Sequence, residues 1–146
     1  VIPVLESAIP LFKSQGLSQI IEAHNGDRDA IAIGFPDEGA FKRFHHFFDT
    51  EFQTVVFSKV RVGEQRLLKL KEGDAHGKHV VIIDDLVQTG GTLLSCAEEC
   101  LAAGAVNVSA YVTHGIFPNE SWRKFIGKVA HFWITDSVPG TAKAVE

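Results

Sequence analysis

The chain has 146 residues, of which 45% are hydrophobic, so it is one ordinary domain with enough apolar residues for a core. Charged residues make up 22% and the net charge is −4, a balance that gives no electrostatic footprint for a nucleic-acid partner. Because no segment approaches the ~20 apolar residues of a membrane span and the first residues lack a signal-peptide pattern, we expect a soluble, cytoplasmic protein with no membrane partner.

Helix and strand patterns alternate along the chain. A helix is predicted over Pro10–Ala23, interrupted near Gly16, and Asn25-Gly26-Asp27 is a turn signal. Further predicted elements are the strand Ala30–Phe35, the helix Gly39–Phe48, the strands Gln53–Phe57 and Lys78–Asp84, the helix Gly91–Ala103, the strand Val106–Val112, a short helix about Glu120–Phe125 and the strand Ala130–Ile134. Strands separated by helices predict an α/β fold, with a parallel sheet of about five strands flanked by helices.

A long charged segment, Lys59–Gly77, separates two of the predicted strands. Its part Arg66–Lys71 alternates in polarity and is typical of one arm of a hairpin. A charged excursion of this length is either a solvated loop or a flap over an active site. Its place after the carboxyl end of a strand favours the flap.

The segment Val80–Thr92 carries the strongest signal. Its apolar run Val80–Ile83 predicts a strand buried on both faces, and Asp84 and Asp85 follow at the carboxyl end, where open α/β sheets bind ligands. The turn residues after it are Gln88, Thr89, Gly90, Gly91 and Thr92. Glycines, hydroxyls and a helix N-terminus together suit a phosphate group. The alternative is an ordinary strand-to-helix connection in which Thr89 or Thr92 only caps the helix.

The letters D-D-L-V-Q-T-G-G-T resemble the ribose-phosphate-binding signature of the type I phosphoribosyltransferase fold. Three other segments narrow the resemblance to the ribose-phosphate pyrophosphokinases, also called PRPP synthetases. These segments are G-F-P-D-E-G-A-F-K-R-F at Gly34–Phe44, S-K-V-R at Ser58–Arg61 and A-Y-V-T-H-G-I-F at Ala110–Phe117. The likeness covers essentially the whole chain, and its aromatic-rich segments are most similar to the divergent plant-type branch. Gln88 departs from more widespread members, which have an aspartate there.

The resemblance implies transfer of pyrophosphate from Mg²⁺-ATP to the 1-hydroxyl of ribose 5-phosphate. Lys59 and Arg61 match the catalytic pair of the family's mobile loop or hairpin, and Asp37 matches its magnesium–ATP aspartate. The residues implied to bind ribose 5-phosphate are Asp84, Asp85, Gln88, Thr89, Gly90, Gly91 and Thr92. The resemblance further implies that residues 1–146 are a single domain forming the C-terminal half of a two-domain synthetase that assembles into homo-oligomers.

Several alternatives stay open at this point. A base phosphoribosyltransferase would share the fold, and a non-catalytic regulatory subunit would share much of the sequence, although retention of Lys59 and Arg61 argues against the latter. Lys42 and Arg43 are equally consistent with phosphate contacts and with surface ion pairs. His114 is either a proton carrier or a structural histidine. Cys96 and Cys100, four residues apart on one predicted helix, are expected to be reduced core thiols.

Overall fold

A six-stranded sheet organises the chain, in the order β3-β2-β1-β4-β5-β6. We describe it from a computed structural model that covers residues 9–48, 51–87, 91–115, 123, 129–130 and 132–134. The strands are β1 (Ile31–Phe35), β2 (Gln53–Val62), β3 (Gln65–Glu72), β4 (His79–Val87), β5 (Asn107–Gly115) and β6 (Phe132–Ile134). All neighbouring pairs are parallel except β2 and β3, which are antiparallel. The α/β prediction is confirmed, and the sixth strand is the antiparallel β3.

Helices cover both faces of the sheet. They are α1 (Ile9–Phe12), α2 (Ser18–Ala23), α3 (Glu38–Phe44) and α4 (Gly91–Ala102), with 3₁₀ turns at Arg28–Ala30 and His45–Phe47. Of the short helix predicted about Glu120–Phe125, only Arg123 lies within the described residues. In the part of the chain that the structure describes, no helix combines the length and apolar character needed to cross a membrane.

The strand β4 divides the hydrophobic core into two halves. Val80 and Ile82 pack with α4 on one face, which we call the α4 side. Val81 and Ile83 pack with α3 and the N-terminal helices on the opposite face, the α3 side. All four side chains are fully buried. A strand covered on both faces needs a continuous apolar run, which is why Val80–Ile83 was readable from the sequence.

The charged segment after Lys59 is a hairpin and not a loop. β2 continues five residues past the predicted end at Phe57, turns at Gly63 and Glu64, and returns as β3. Gly63 has φ +63°, the left-handed conformation that a tight hairpin turn requires. The predicted strand was too short because it was based on a run of apolar residues, and the outer half of β2 contains polar residues. The hairpin predicted around Arg66–Lys71 is confirmed, with β3 forming its second arm.

The N-terminal helical segment contains a π-helical turn, Lys13–Leu17, between α1 and α2. Gly16 lies in this turn, and a Cβ there would be 2.8 Å from Phe12 Cδ1 and 3.0 Å from Trp133 Cε2. The Phe12 ring stacks on Tyr111 of β5 with centroids 4.6 Å apart. Glycine therefore allows the helix to approach β5 and β6 closely, and the predicted interruption near Gly16 takes the form of this turn.

A buried polar network joins the amino ends of β4 and β5. His79 Nδ1 is 3.1 Å from His24 Nε2 of the N-terminal segment, and His79 Nε2 is 2.7 Å from Ser109 Oγ. His79 and Ser109 are both buried. Buried polar groups need such partners, so the network ties the turn after α2 to the sheet. It lies at the end of the sheet opposite Asp84.

Candidate active site at the carboxyl ends of the strands

The carboxyl ends of β1 and β4 bring the predicted acidic residues together. Gly34 of β1 is aligned with Ile82 of β4, so the Asp84 backbone lies level with the residues that follow β1. The chain leaves β1 at Phe35 and enters α3 at Glu38. Asp37, in that connection, is therefore placed at the same edge of the sheet as Asp84. The resemblance gave these two residues separate roles, and the parallel strands place them at one edge of the sheet.

Asp37 begins the helix α3. Its Oδ1 accepts a hydrogen bond from the Ala40 backbone N–H at 2.8 Å, and its backbone carbonyl accepts one from Phe41. The carboxylate is thus an N-cap, which fixes its orientation at the helix end. The structure gives Asp37 a structural role beside the metal role that the resemblance implies.

β4 continues to Val87, so Asp84 and Asp85 lie in the last part of the strand and not after it, as the sequence had suggested. The side chain of Asp84 is 15% exposed. Arg43 of α3 places Nη2 at 3.9 Å from Asp84 Oδ1. Of the two readings left open for Arg43, an ion pair is what the structure shows, although its partner is a candidate site residue. Sequence reasoning missed the pairing because α3 and β4 are far apart in the chain. The adjacent Lys42 instead lines a neighbouring groove.

The predicted phosphate-binding turn is only partly within the described residues. The backbone of Asp85 belongs to β4 and that of Gly91 begins α4, whereas Gln88, Thr89 and Gly90 lie outside the described residues. Thr92 is exposed on the first turn of α4. The predicted strand and helix are therefore present on either side of these three residues, and the assignment of the segment to a phosphate stays a prediction.

The predicted catalytic pair lies on the hairpin. Lys59 and Arg61 are exposed, and alternation along β2 places them on the same side as the buried Val55 and Phe57, the α4 side. Asp84 shares this side with Ile82. The registers of β1 with β2 and β4 imply roughly 12 Å between the Lys59 and Asp84 backbones, from a 3.3 Å rise and 4.8 Å strand spacing. A long cationic side chain and a phosphorylated ligand together span that distance.

A groove on the α3 side lies between α3 and the hairpin formed by β2 and β3. Its volume is ≈ 340 Å³, and its lining residues are Glu38, Phe41, Lys42, Val56 and Glu72. The ammonium of Lys71 on β3 contacts the carboxylate of Glu38 at this groove. The base of the hairpin is thus joined by charge to the residue that follows Asp37.

The two cysteines of α4, Cys96 and Cys100, are buried in the core. Burial raises the pKa of the Cys96 thiol well above its usual value, and Cys100 and Asp84 raise it further. Both cysteines are free and buried. The prediction that both are core thiols is confirmed, and Cys96 lies in the same apolar cluster as Ile82, two residues before Asp84.

His114 is exposed on β5, aligned with Leu86 of β4. Its position one strand from Asp84 is compatible with both roles considered for it. Among the described residues, no group of three or more His, Cys, Asp or Glu side chains converges as a metal site. The magnesium ligand predicted at Asp37 therefore stays a prediction.

Comparison with known proteins agrees with this architecture. The family model described as "Phosphoribosyl transferase domain" matches residues 41–132. The chain is 52% identical over 154 aligned positions to "Ribose-phosphate pyrophosphokinase 3, mitochondrial" of Spinacia oleracea, covering 100% of this chain and 36% of that protein. The chain thus spans about a third of that relative's length. The relative is named mitochondrial, and the cytoplasmic location expected above stays a prediction.

Solved structures show the same fold. A phosphoribosylpyrophosphate synthetase from Mycobacterium smegmatis superposes with a TM-score of 0.63 at 17% identity, covering 92% of this chain and 49% of that one. An APRTase from Giardia lamblia superposes with a TM-score of 0.58 at 17% identity, covering 85% and 82%. The resemblance to plant ribose-phosphate pyrophosphokinases, inferred above from four motifs, is confirmed by the spinach relative. With the family model matched over most of its length and the fold shared, the chain belongs to the phosphoribosyl transferase domain family.

Proposed function

We propose that the chain is the phosphoribosyltransferase-fold part of a ribose-phosphate diphosphokinase, which converts ATP and ribose 5-phosphate to PRPP and AMP. The observation that carries the proposal is the 52% identity to a ribose-phosphate pyrophosphokinase across the whole chain. The placement of Lys59 and Arg61 on a hairpin beside the carboxyl ends of the strands supports it. Fold likeness alone does not favour it over a base phosphoribosyltransferase, because the Giardia enzyme is a fold neighbour too.

The reaction needs two anions held in line. The 1-hydroxyl oxygen of ribose 5-phosphate forms a bond to the β-phosphorus of ATP, the bond from that phosphorus to the α,β-bridging oxygen breaks, and AMP leaves. The hydroxyl proton is released. Catalysis of such a transfer is mostly positioning and neutralisation of charge. In this proposal the ammonium of Lys59 and the fork of Arg61 bind oxygens of the migrating group.

The acceptor sugar would lie over the carboxyl end of β4. Asp84 and Asp85 would accept hydrogen bonds from ribose hydroxyls, since carboxylates are acceptors placed at the ligand-binding edge of the sheet. The residues from Gln88 to Thr92 would hold the 5-phosphate before the first turn of α4.

Magnesium is the cofactor that this reaction class requires, and the site chemistry suits it. Asp37 and Asp84 are the candidate ligands, because carboxylate oxygens are the ligands that Mg²⁺ prefers. Asp37 Oδ1 accepts the helix-cap hydrogen bond, so its second oxygen would be the one to contact the metal. When bound, magnesium neutralises phosphate oxygens of ATP.

The complete enzyme would need more than this chain. The chain spans 36% of the spinach relative, so the rest of such a protein would contribute to ATP binding. We also propose that the active protein is a homo-oligomer, as the family resemblance implies.

The test is release of AMP from ATP by the purified full-length protein. We expect AMP to form only with ribose 5-phosphate and Mg²⁺ present, together with an equal amount of PRPP. Absence of ribose-dependent AMP from folded protein would refute the proposal. Adenine-dependent consumption of PRPP would identify a base phosphoribosyltransferase instead, and nucleotide binding without any turnover would identify a regulatory subunit.

A further inference from the structure

The carboxylate of Asp84 has a positive charge from α3 beside it. Its side chain is 15% exposed, and an ionised carboxylate at that depth is costly without a cation nearby. Arg43 Nη2 is 3.9 Å from Asp84 Oδ1, longer than the 2.7–3.2 Å typical of an N–H···O hydrogen bond. The Arg43 side chain is itself 47% exposed. The distance between these two atoms is that of an ion pair, and the guanidinium is partly exposed to solvent.

The same guanidinium lies near the Asp37 turn. A Cβ at Gly39 would be 3.2 Å from Arg43 Nη1 and 3.1 Å from Asp37 Oδ1. Gly39 thus leaves the space in which Arg43 folds back along α3 towards Asp37 and Asp84. The charge of Arg43 is placed beside both carboxylates that the proposed function assigns to magnesium.

We propose that Arg43 is a positioning residue that holds the place of the divalent cation. In the structure the guanidinium of Arg43 is the positive charge beside Asp84. A divalent cation held by this carboxylate would compete with Arg43, whose guanidinium would then be available to phosphate oxygens of ATP. Arginine suits both positions because its fork binds carboxylate and phosphate alike. This inference rests on the proposed function, which supplies the metal and the phosphates. It predicts that metal and nucleotide strengthen each other's binding through Arg43.

Binding of Mn²⁺, a paramagnetic probe for a magnesium site, tests the proposal without turnover. The full-length protein and its Arg43→Gln variant are titrated with Mn²⁺, and free Mn²⁺ is measured by electron paramagnetic resonance. We expect Arg43→Gln to bind Mn²⁺ about three- to fivefold more tightly without nucleotide, since a competing charge is removed. We also expect the variant to lose most of the enhancement that a non-hydrolysable ATP analogue gives the unaltered protein.

Two further variants separate the effect of the position of the charge from the effect of the guanidinium's shape. Lys42→Gln removes the same charge one residue away, from a side chain that lines the groove, and should leave Mn²⁺ affinity unchanged. Arg43→Lys keeps the charge and loses the fork, so Mn²⁺ affinity should stay close to that of the unaltered protein while the ATP enhancement falls. Unchanged or weaker Mn²⁺ binding by Arg43→Gln overturns the proposal, as does equal tightening by Lys42→Gln.

The outcome is distinguishable from that of the AMP assay. A protein that releases no AMP and yet binds Mn²⁺ more tightly on loss of Arg43 would refute the proposed reaction and support the exchange at Asp84. A protein that releases AMP and shows no change in Mn²⁺ affinity on loss of Arg43 would support the proposed reaction and refute the exchange at Asp84.

Discussion

The ammonium of Lys71, on the returning strand of the hairpin, contacts the carboxylate of Glu38, the first residue of α3. Glu38 follows Asp37 directly, and Lys71 shares the hairpin with Lys59 and Arg61. The ion pair is half exposed, so its contribution to the free energy of unfolding is small. Its importance is geometric, because it joins the predicted catalytic hairpin to the turn that holds Asp37.

Charge reversal tests this connection. We expect Glu38→Lys and Lys71→Glu each to lower kcat for AMP release by about two- to fivefold, with changes in unfolding free energy below about 1 kcal/mol. The double variant, which restores the pair in reverse, should recover most of the rate. Glu64→Lys at the hairpin turn makes the same change in net charge as Glu38→Lys and serves as its control. Additive losses in the double variant would contradict a positioning role.

The predicted catalytic pair should affect rate and not stability. Lys59→Ala and Arg61→Ala are each expected to lower kcat by about 10²- to 10³-fold, as loss of a charge that stabilises a transition state does. Both side chains are exposed, so the melting temperature should hardly change. Lys69→Ala removes an exposed lysine from the other arm of the hairpin and should retain activity. Similar losses in all three variants would point to the net charge of the hairpin instead.

Alkaline pH should destabilise the protein through Cys96. Burial holds the folded-state pKa of this thiol well above 9.0, so the unfolded chain releases the proton first as pH rises. The stabilisation is complete below about pH 9 and is lost above it, with a slope of about 1.4 kcal/mol per pH unit. Urea unfolding between pH 8 and 10 measures the slope.

The variant Cys96→Ala isolates that effect. It should be less stable at pH 8, because a buried sulfur is removed, and should show a shallower decline towards pH 10. Burial also raises the pKa of Tyr111 above 10.0, which adds a similar loss at still higher pH. An unaltered slope between pH 8 and 10 in Cys96→Ala would show that another group is responsible.

Loss of the buried histidine network should cost stability. His79→Leu leaves the hydroxyl of Ser109 without its partner at 2.7 Å, and we expect the unfolding free energy to fall by about 1–3 kcal/mol. Adding Ser109→Ala to that variant should recover part of the loss, because no hydroxyl then stays unsatisfied. Chemical unfolding at neutral pH makes the comparison. A double variant less stable than His79→Leu would contradict this account.

Gly16→Ala should disturb the packing of the N-terminal helices on the sheet. The added methyl group would lie 2.8 Å from Phe12 Cδ1, and overpacking of this kind costs about 1–3 kcal/mol, partly offset by the higher helix propensity of alanine. Trp133 fluorescence should shift, because its ring is the second contact. Gln15→Ala, at an exposed position of the same π-helical turn, controls for propensity. A stabilised Gly16→Ala variant with unchanged fluorescence would refute the packing argument.

The sequence predicted best where one residue pattern determines the structure. Val80–Ile83 is apolar throughout because both faces of β4 are covered, and the pattern of the following helix matched α4 closely. The outer half of β2 was missed because Lys59 and Arg61 interrupt its apolar run. Its strand structure comes from pairing with β3, which no local pattern in β2 reports.

Contacts between segments that are far apart in the chain could not be predicted from local sequence patterns. The ion pair of Arg43 with Asp84 and the network of His79 with Ser109 both join elements more than 25 residues apart. The sequence offered two readings for Arg43 and no partner for His79. Both depend on how α3 and β5 pack against β4, which is a property of the folded chain.

The shift in strand pairing between Val56 and Phe57 has a mechanical consequence. β2 is one unbroken strand whose inner half is core and whose outer half carries Lys59 and Arg61. The two halves are parts of one continuous strand, and the register shift lies between them. A change in the packing of the inner half should therefore alter the direction of the outer half. Substitutions that repack the interior around Val55 or Phe57 should therefore change the angle at which the two cations meet a substrate, even though they touch no ligand.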